Sequence, residues 1–412
     1  MSALFALRII APFSLGYFLS YAVRNVNAVI APDLSADLAL TPATLGLLTS
    51  AYFLAFAAFQ IPLGVLLDRY GSRRVEAILF LVAAAGCALF ALGQDVETLV
   101  AARALIGLGV SAALMGSFKA YVQWFPAERL PLISSLTMTM GGLGALVATA
   151  PVEAMLGFLD WRGVLWVAAA VATFAAATIF FVAPAHPDEK TAASVPMWSQ
   201  VRELRQIYTS ADFWRIAPLA VTSQAMFLAI QGLWAGPWFR DVAGLGRDDV
   251  AAHLLYITIA MVIGFFSVGV VMERLARVDI SNLAVASTYC LLALLALVVI
   301  MLEWQLPSLF AWLVFGFFGG AGFLFYPLLC GYFKEELAGR VVTSANVLTF
   351  GGAFVAQWAI GAVINRWPVI ENGNFHPAGY QAGFALFGGM TLISLIWVIL
   401  APGTKRSTRA AS

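Results

Sequence analysis

Four ionisable side chains fall inside stretches of the chain that are otherwise apolar: Arg24, Arg103, Lys119 and Glu153. A charge in hydrocarbon costs about 2.5–3.5 kcal/mol on insertion scales, so such a residue is a functional candidate by default. Three bases against one acid leave positive charge to be neutralised. In a central cavity the simplest neutraliser is an anionic cargo. Arg24, Arg103 and Glu153 each lie about four to seven residues from the end of an apolar stretch, hence about 6–10 Å deep at 1.5 Å per residue. At that shared depth Arg103 and Glu153 are expected to pair. Glu153 is also the obvious proton carrier of the spans, although a cargo acid can bring its own proton. Lys119 lies nearer the other end and has two readings, an anion-binding base or a side chain snorkelling to the interface. Arg24 likewise reads as an anion-binding residue or as the partner of Asp33 or Asp37.

Polar and aromatic residues at helical spacing surround these charges. Tyr17, Tyr21, Arg24 and Ala28 recur at i, i+4, i+7 and i+11, which gives one stripe of rings and positive charge. Gln224, Gln231 and Trp234 share a broad face of a later segment, and Asn346, Phe350 and Gln357 share another. Each amide is a cargo ligand or an interhelical hydrogen bond. Tyr326-Pro327 is a candidate hinge or gate. His186, His253 and His376 have no His or Met partner at i+4, and Cys87, Cys290 and Cys330 sit singly in apolar runs, so no metal site is expected. A phosphate-binding Gly-x4-Gly-Lys-Ser/Thr loop is missing from the sequence, which excludes ATP as the energy source within this chain. No nucleophile and base cluster is visible, so neither an enzyme nor a cofactor is expected.

The elements that must position these residues are membrane-spanning helices. Of 412 residues, 62% are hydrophobic and 11% charged, against about 25% charged in soluble domains. The apolar share is about 255 residues, enough for roughly a dozen spans of about 20 residues. Charge, Pro and Gly clusters cut the chain into twelve apolar segments: 9–31, 43–66, 75–93, 98–122, 131–156, 163–183, 213–236, 249–271, 280–300, 307–331, 341–364 and 379–400. An all-α polytopic membrane protein is therefore expected, since helices satisfy their own backbone groups in lipid. The segment at the N-terminus runs past 20 residues, contains Arg24 and lacks a small-residue cleavage site, so it reads as an uncleaved first span.

The longest polar interruption, 184–211, divides the spans six and six, giving bundles at 1–183 and 212–412 joined by a linker. Met197, Val201, Leu204 and Tyr208 share a face there, predicting an amphipathic helix along the membrane surface. Fifteen Lys and Arg, from Arg8 to Arg409, fall on the linker side; four, Arg162, Arg240, Arg247 and Arg366, fall on the other. That asymmetry places the linker and both termini in the cytoplasm. A net charge of +1 excludes the basic excess that a nucleic-acid binder needs.

The two halves echo one another. Gly64-Val-Leu-Leu-Asp68-Arg69-Tyr-Gly71-Ser-Arg73-Arg74 after the second span has a counterpart in Gly269-Val-Val-Met-Glu273-Arg274 after the eighth, 205 residues on. Phe125-Pro-Ala-Glu128 followed by Gly141-Gly142 has a second echo in Phe333-Lys-Glu-Glu336 followed by Gly351-Gly352. Parallel repeats of this length are a transporter architecture. Asp68 at its helix end can accept from a neighbouring helix N-terminus, while Arg69, Arg73 and Arg74 can bridge to acids such as Glu128. Such contacts would latch the linker face.

The Gly64-x3-Asp68-Arg69-x-Gly71-x-Arg73-Arg74 loop resembles the signature loop of the major facilitator superfamily. Arg103-x3-Gly107-x-Gly109 resembles that family's second motif, and Trp124-Phe-Pro-x-Glu128-Arg129 its loop between spans four and five. The Gly-Pro step of drug/proton antiporters is missing from span five, where Gly141, Gly142, Gly144 and Pro151 stand. Lys119 before the Trp-Phe-Pro loop, with Tyr21-x2-Arg24-x2-Asn27, resembles the family's organic anion symporters. The resemblance implies a cavity lined by spans one, four, seven and ten and two pseudo-symmetric six-helix bundles. It implies a functional monomer in the inner membrane, moving a small carboxylate-type anion by alternating access with protons or another coupling ion. The residues expected at the cargo are Tyr17, Tyr21, Arg24, Lys119, Gln224, Gln231, Trp234, Tyr326, Asn346 and Gln357. Those expected to gate or couple are Asp68, Arg69, Arg73, Arg103, Glu128, Glu153, Glu273 and Arg274. The aromatic content of 13% keeps open an exporter of amphipathic or aromatic compounds. A non-transporting sensor on the same fold is the remaining class.

Overall fold

A computed structural model describes residues 3–126, 129–185, 197–302, 308–334, 337–370 and 374–401. All of its regular elements are helical. Among the described residues, eleven helices are long and apolar enough to cross a membrane. The remaining expected crossing, the tenth, is interrupted: Ser308–Gly319 gives way to a tighter 3₁₀ turn at Gly320–Leu324 and resumes as Phe325–Cys330.

Several spans carry breaks close to the charges singled out above. Span one runs as Ala3–Asn25 and, after Val26, continues as Asn27–Leu38. It is thus longer than the 9–31 expected, and Arg24 lies 14 residues from Leu38, about 21 Å in helical rise. The shallow depth inferred from sequence is corrected: Pro32, Asp33 and Asp37 read as a loop, yet the helix carries them on as a polar extension. Span four breaks between Val96–Gly109 and Ala113–Trp124, and span five between Leu130–Val147 and Ala150–Leu156. Span seven holds a π-helical turn, Ile230–Trp234, between Ala211–Ala229 and Ala235–Asp241. Such turns concentrate at functional sites, and this one contains both Gln231 and Trp234.

Without a hydrophobic drive between helices in lipid, close packing through small residues holds the bundle together. Gly107 of the second motif is the clearest case: a Cβ there would stand 2.2 Å from the Tyr52 carbonyl oxygen of span two, Pro42–Tyr70. Gly107→Ala is expected to push spans two and four apart at a cost of about 1–3 kcal/mol. The check is a lower melting temperature of the detergent-solubilised protein.

The linker helix, Met197–Tyr208, forms as the periodicity predicts. It docks on span eleven, Ala338–Ile364. Arg340 Nε donates to Glu203 Oε2 at 2.8 Å, and the Tyr208 hydroxyl donates to the Ser344 carbonyl at 3.2 Å.

Candidate functional site

Arg24 sits at the centre, 6% exposed. Its guanidinium lies 4.6 Å from the ring centre of Tyr21, 5.5 Å from Phe350, 5.7 Å from Phe56 and 5.8 Å from Tyr52. Its Nε donates to the Tyr52 hydroxyl at 3.4 Å. Rings from spans one, two and eleven therefore enclose the cation, each face contributing about 0.5–2 kcal/mol. No carboxylate stands within ion-pair distance of it among the described residues. Asp33 and Asp37, the expected alternatives, are engaged elsewhere: Asp33 by Arg247, and Asp37 by Arg162 at 2.6 Å. Beyond the cage, Arg24, Tyr21 and Asn25 face Gln224, Gln231, Met261 and Phe265 across a void of about 10 Å³, room for about one water. Neither polar atom of the Gln224 amide has a partner, and the same holds for Gln357. Buried amides without partners are costly, about 1–3 kcal/mol each; Gln224 lines the void beside Arg24, whereas Gln357 does not.

The expected Arg103–Glu153 pair does not form. Arg103 donates from Nη1 to the Val23 carbonyl at 2.7 Å and from Nη2 to the Arg24 carbonyl at 3.3 Å. These carbonyls precede the break at Val26, where a helix end leaves acceptors open. Arg103 thus caps the first segment of span one and fixes the register of Arg24. Glu153 lies only three residues from the end of Ala150–Leu156, where Arg247 takes it instead.

Arg247 is the hub of the face opposite the linker. It opens span eight, Arg247–Ala276, bonds Asp33 through both terminal nitrogens at 2.8 and 2.5 Å, and donates to Glu153 through Nε. The contact joins span eight to spans one and five. Beside it lies a pocket of about 190 Å³ bounded by Ala28, Pro32, Glu153, Gly236, Arg240 and Arg247. Nearby, the buried Asp241 carboxylate receives Arg240 Nε at 2.6 Å, the Tyr380 hydroxyl at 2.6 Å and the Phe375 amide at 3.2 Å. This clamp, tying span seven to span twelve, was not legible because Arg240 reads as an ordinary loop base.

The other expected residues are placed as follows. Lys119 donates to Asp68 at 2.7 Å, tying span four to the end of span two. In this conformation it is a partner of the signature loop rather than a base facing the void. The Asp68 carboxylate accordingly bonds a lysine, not a helix N-terminus. Arg69 stacks on Tyr70 and Arg73 on Phe180. Arg274 is exposed. Glu128 lies outside the described residues, as does the side chain of Glu273. Trp234 is fully buried, donates to the Gln357 carbonyl at 3.0 Å and packs beside Gly46 and Gly361, so it wedges spans two, seven and eleven together. The hydroxyl of Tyr17 donates to that of Tyr21 at 3.4 Å, that of Tyr326 to Thr349 at 3.1 Å, and Asn346 is buried. One buried acid escaped the sequence reading altogether: Glu76, in span three, Ser72–Leu92, so Glu153 is not the sole acid of the spans. It follows Arg73-Arg74 by two residues and so reads as the tail of a charged loop, but the helix already begins at Ser72.

A model of the Major Facilitator Superfamily matches residues 13–357. The chain belongs to the Major Facilitator Superfamily. Among superfamily relatives, the probable sulfoacetate transporter SauU of Cupriavidus necator is 23% identical over 280 residues, 65% of each chain. The hexuronate transporter of Escherichia coli K12 is 28% identical over 153 residues, 37% of this chain and 35% of the relative. The chain thus aligns with just under two thirds of the one and about a third of the other. The superfamily fold extends along the whole molecule: the crystal structure of a D-xylose-proton symporter superposes with a TM-score of 0.78 at 15% identity, covering 98% of this chain and 100% of that one. The all-α polytopic architecture expected from sequence is therefore that of the superfamily.

Charges beyond the apolar stretches show how the helix ends are held. The Asp37 carboxyl is held below the usual range by its hydrogen bond and charge contact with Arg162 and by the Trp161 indole N–H. Asp95, capping span four, is likewise lowered by the Thr98 N–H and hydroxyl. A carboxylate of lowered value stabilises the fold above its unfolded value, and loses that contribution as pH falls through the folded value. Melting curves of wild type and Arg162→Ala are therefore expected to differ slightly at neutral pH and to converge in acid, the difference staying small because the pair is open to solvent.

Proposed function

We propose that the protein carries a small organic anion of the carboxylate type across the inner membrane, in symport with protons. In this reading residues 1–183 rock against 212–412 about Arg24. The observation that carries it is a buried guanidinium enclosed by rings, without a carboxylate partner, and facing two amides of which one is wholly unpartnered. An anion would supply the missing charge, and its oxygens would bond the guanidinium and the Gln224 and Gln231 amides. Relatives named for sulfoacetate and hexuronate support an acidic cargo.

The charges on the two faces serve the gates. Asp33–Arg247–Glu153 closes the face opposite the linker. Asp68–Lys119, with Arg69, Arg73, Glu128, Glu273 and Arg274, serves the linker face, and the Lys and Arg bias supports a cytoplasmic position for that face and both termini. Tyr17, Tyr21, Tyr326, Asn346 and Gln357 shape the chamber, Trp234 buttresses it, and a monomer suffices.

The test is uptake into proteoliposomes under an imposed pH gradient. Labelled galacturonate and sulfoacetate are offered beside a neutral sugar and an aromatic cation. The expected result is accumulation of an acid and exclusion of the neutral sugar and the cation. Accumulation of the cation instead would favour the exporter reading, for which Phe265 and Met261 at the void speak, and would remove the anion site.

A further inference from the structure

Glu76 is fully buried, and neither of its carboxyl oxygens has a hydrogen-bond partner. Two glycines on two different helices leave the room it occupies. A Cβ on Gly16 of span one would lie 3.0 Å from Oε1, and one on Gly116 of span four would lie 2.2 Å from Oε2. A carboxylate stripped of water without donors costs several kcal/mol, and among the described residues no base pairs with it to offset that cost. On the elements packed around it, Lys119 and Asp68 hold each other, Arg103 is spent on carbonyls, Arg24 is ringed, and Arg162 pairs with Asp37 at the far end of span six. On its own helix Arg73 stacks on Phe180 and Arg74 is exposed. Among the described residues, Tyr121 interacts electrostatically with Glu76. Its hydroxyl lies 2.8 Å from that of Thr137 and 3.5 Å from that of Ser14, which are themselves 3.1 Å apart.

We propose that Glu76 is a proton-binding site whose occupancy is required for the conformation described here, and that it holds the coupling proton of the symport proposed above, on which this second part rests. When spans one and four part, water reaches the carboxylate and one oxygen takes a proton from the face then open. Closing the two glycine faces over the acid is permitted only in the neutral form. The proton returns to water when the site opens to the other face. An ionised Glu76 therefore penalises the closed packing, which is how one proton biases a two-state element.

Two measurements on the purified full-length protein test this. The first is infrared spectroscopy in detergent, which needs no cargo. Wild type at neutral pH is expected to show the C=O stretch of a protonated carboxylic acid, and Glu76→Gln to lose it; identical spectra in that region would overturn the proposal. Should Glu76→Gln fail to fold, a pH titration of wild type decides: a protonated-acid band persisting above neutral pH supports the site, and its absence overturns it. The second uses labelled galacturonate in proteoliposomes. Glu76→Gln is expected to lose gradient-driven accumulation about tenfold or more while galacturonate exchange, which moves no net proton, stays within about twofold. Equal accumulation by wild type and Glu76→Gln would overturn the coupling role. Loss of the infrared band in Glu76→Gln, with no acid carried by wild type, would support the proton site and remove the proposed cargo.

Discussion

Arg24→Ala is expected to lower galacturonate accumulation in proteoliposomes by a hundredfold or more. Removing one partner of a buried charge pair costs about 3–5 kcal/mol, and every 1.4 kcal/mol is a factor of about ten. The aromatic cage sharpens the expectation. Four rings hold the guanidinium in place before the anion arrives, so little ordering remains to be done on binding. Arg24→Lys keeps the charge but loses the planar fork and the stacking, and is expected to fall between alanine and wild type with a raised KM. Phe350→Ala opens one side of the cage and is expected to weaken binding more modestly, by about five- to tenfold. Unchanged uptake by Arg24→Ala, at equal protein incorporation, would leave the cage as a packing device.

Arg247→Ala is expected to open the face opposite the linker. Its side chain is 45% exposed, while that of Glu153 is only 10% exposed; the loss therefore exceeds that of a surface pair and falls short of a fully buried one. With the exposed head discounted for solvent screening, the cost to the closed state is about 1–2 kcal/mol. That shifts the ratio of closed to open molecules about five- to thirtyfold. Spin labels placed near Leu38 and Leu245 report the change as a longer distance population. Asp33→Asn removes one of the two acids and is expected to give a smaller shift in the same direction. An unchanged distance distribution in Arg247→Ala would mean that spans two and eleven, packed from Pro42 against Gly361 to Phe56 against Phe350, hold that face closed by themselves.

Much of the fold was legible because it depends on hydropathy over long windows. The twelve apolar segments and the signature loop sit where expected, and the linker helix follows its spacing. Partnerships were less legible, because they depend on where helices break. In sequence, Arg103 pairs with Glu153 on matching depth alone, and the depth of Arg24 is counted from an end of span one that the helix passes, continuing through Pro32 to Leu38. The break at Val26 then offered Arg103 two carbonyls that no residue pattern announces. Lys119 read as a free base because Asp68, 51 residues away in sequence, faces it only once spans two and four cross. Glu76 escaped notice because two preceding arginines made it look solvated. Arg24 was legible from its own span, since Tyr21 lies one turn away, but three of its four rings come from spans two and eleven.

The most direct test is a structure of the protein with galacturonate bound. The carboxylate is expected within hydrogen-bond distance of the Arg24 guanidinium, with the hydroxyls on the Gln224 and Gln231 amides. A galacturonate seated instead against Arg240 and Arg247 in the 190 Å³ pocket, with Arg24 still enclosed by its four rings and untouched, would contradict the account.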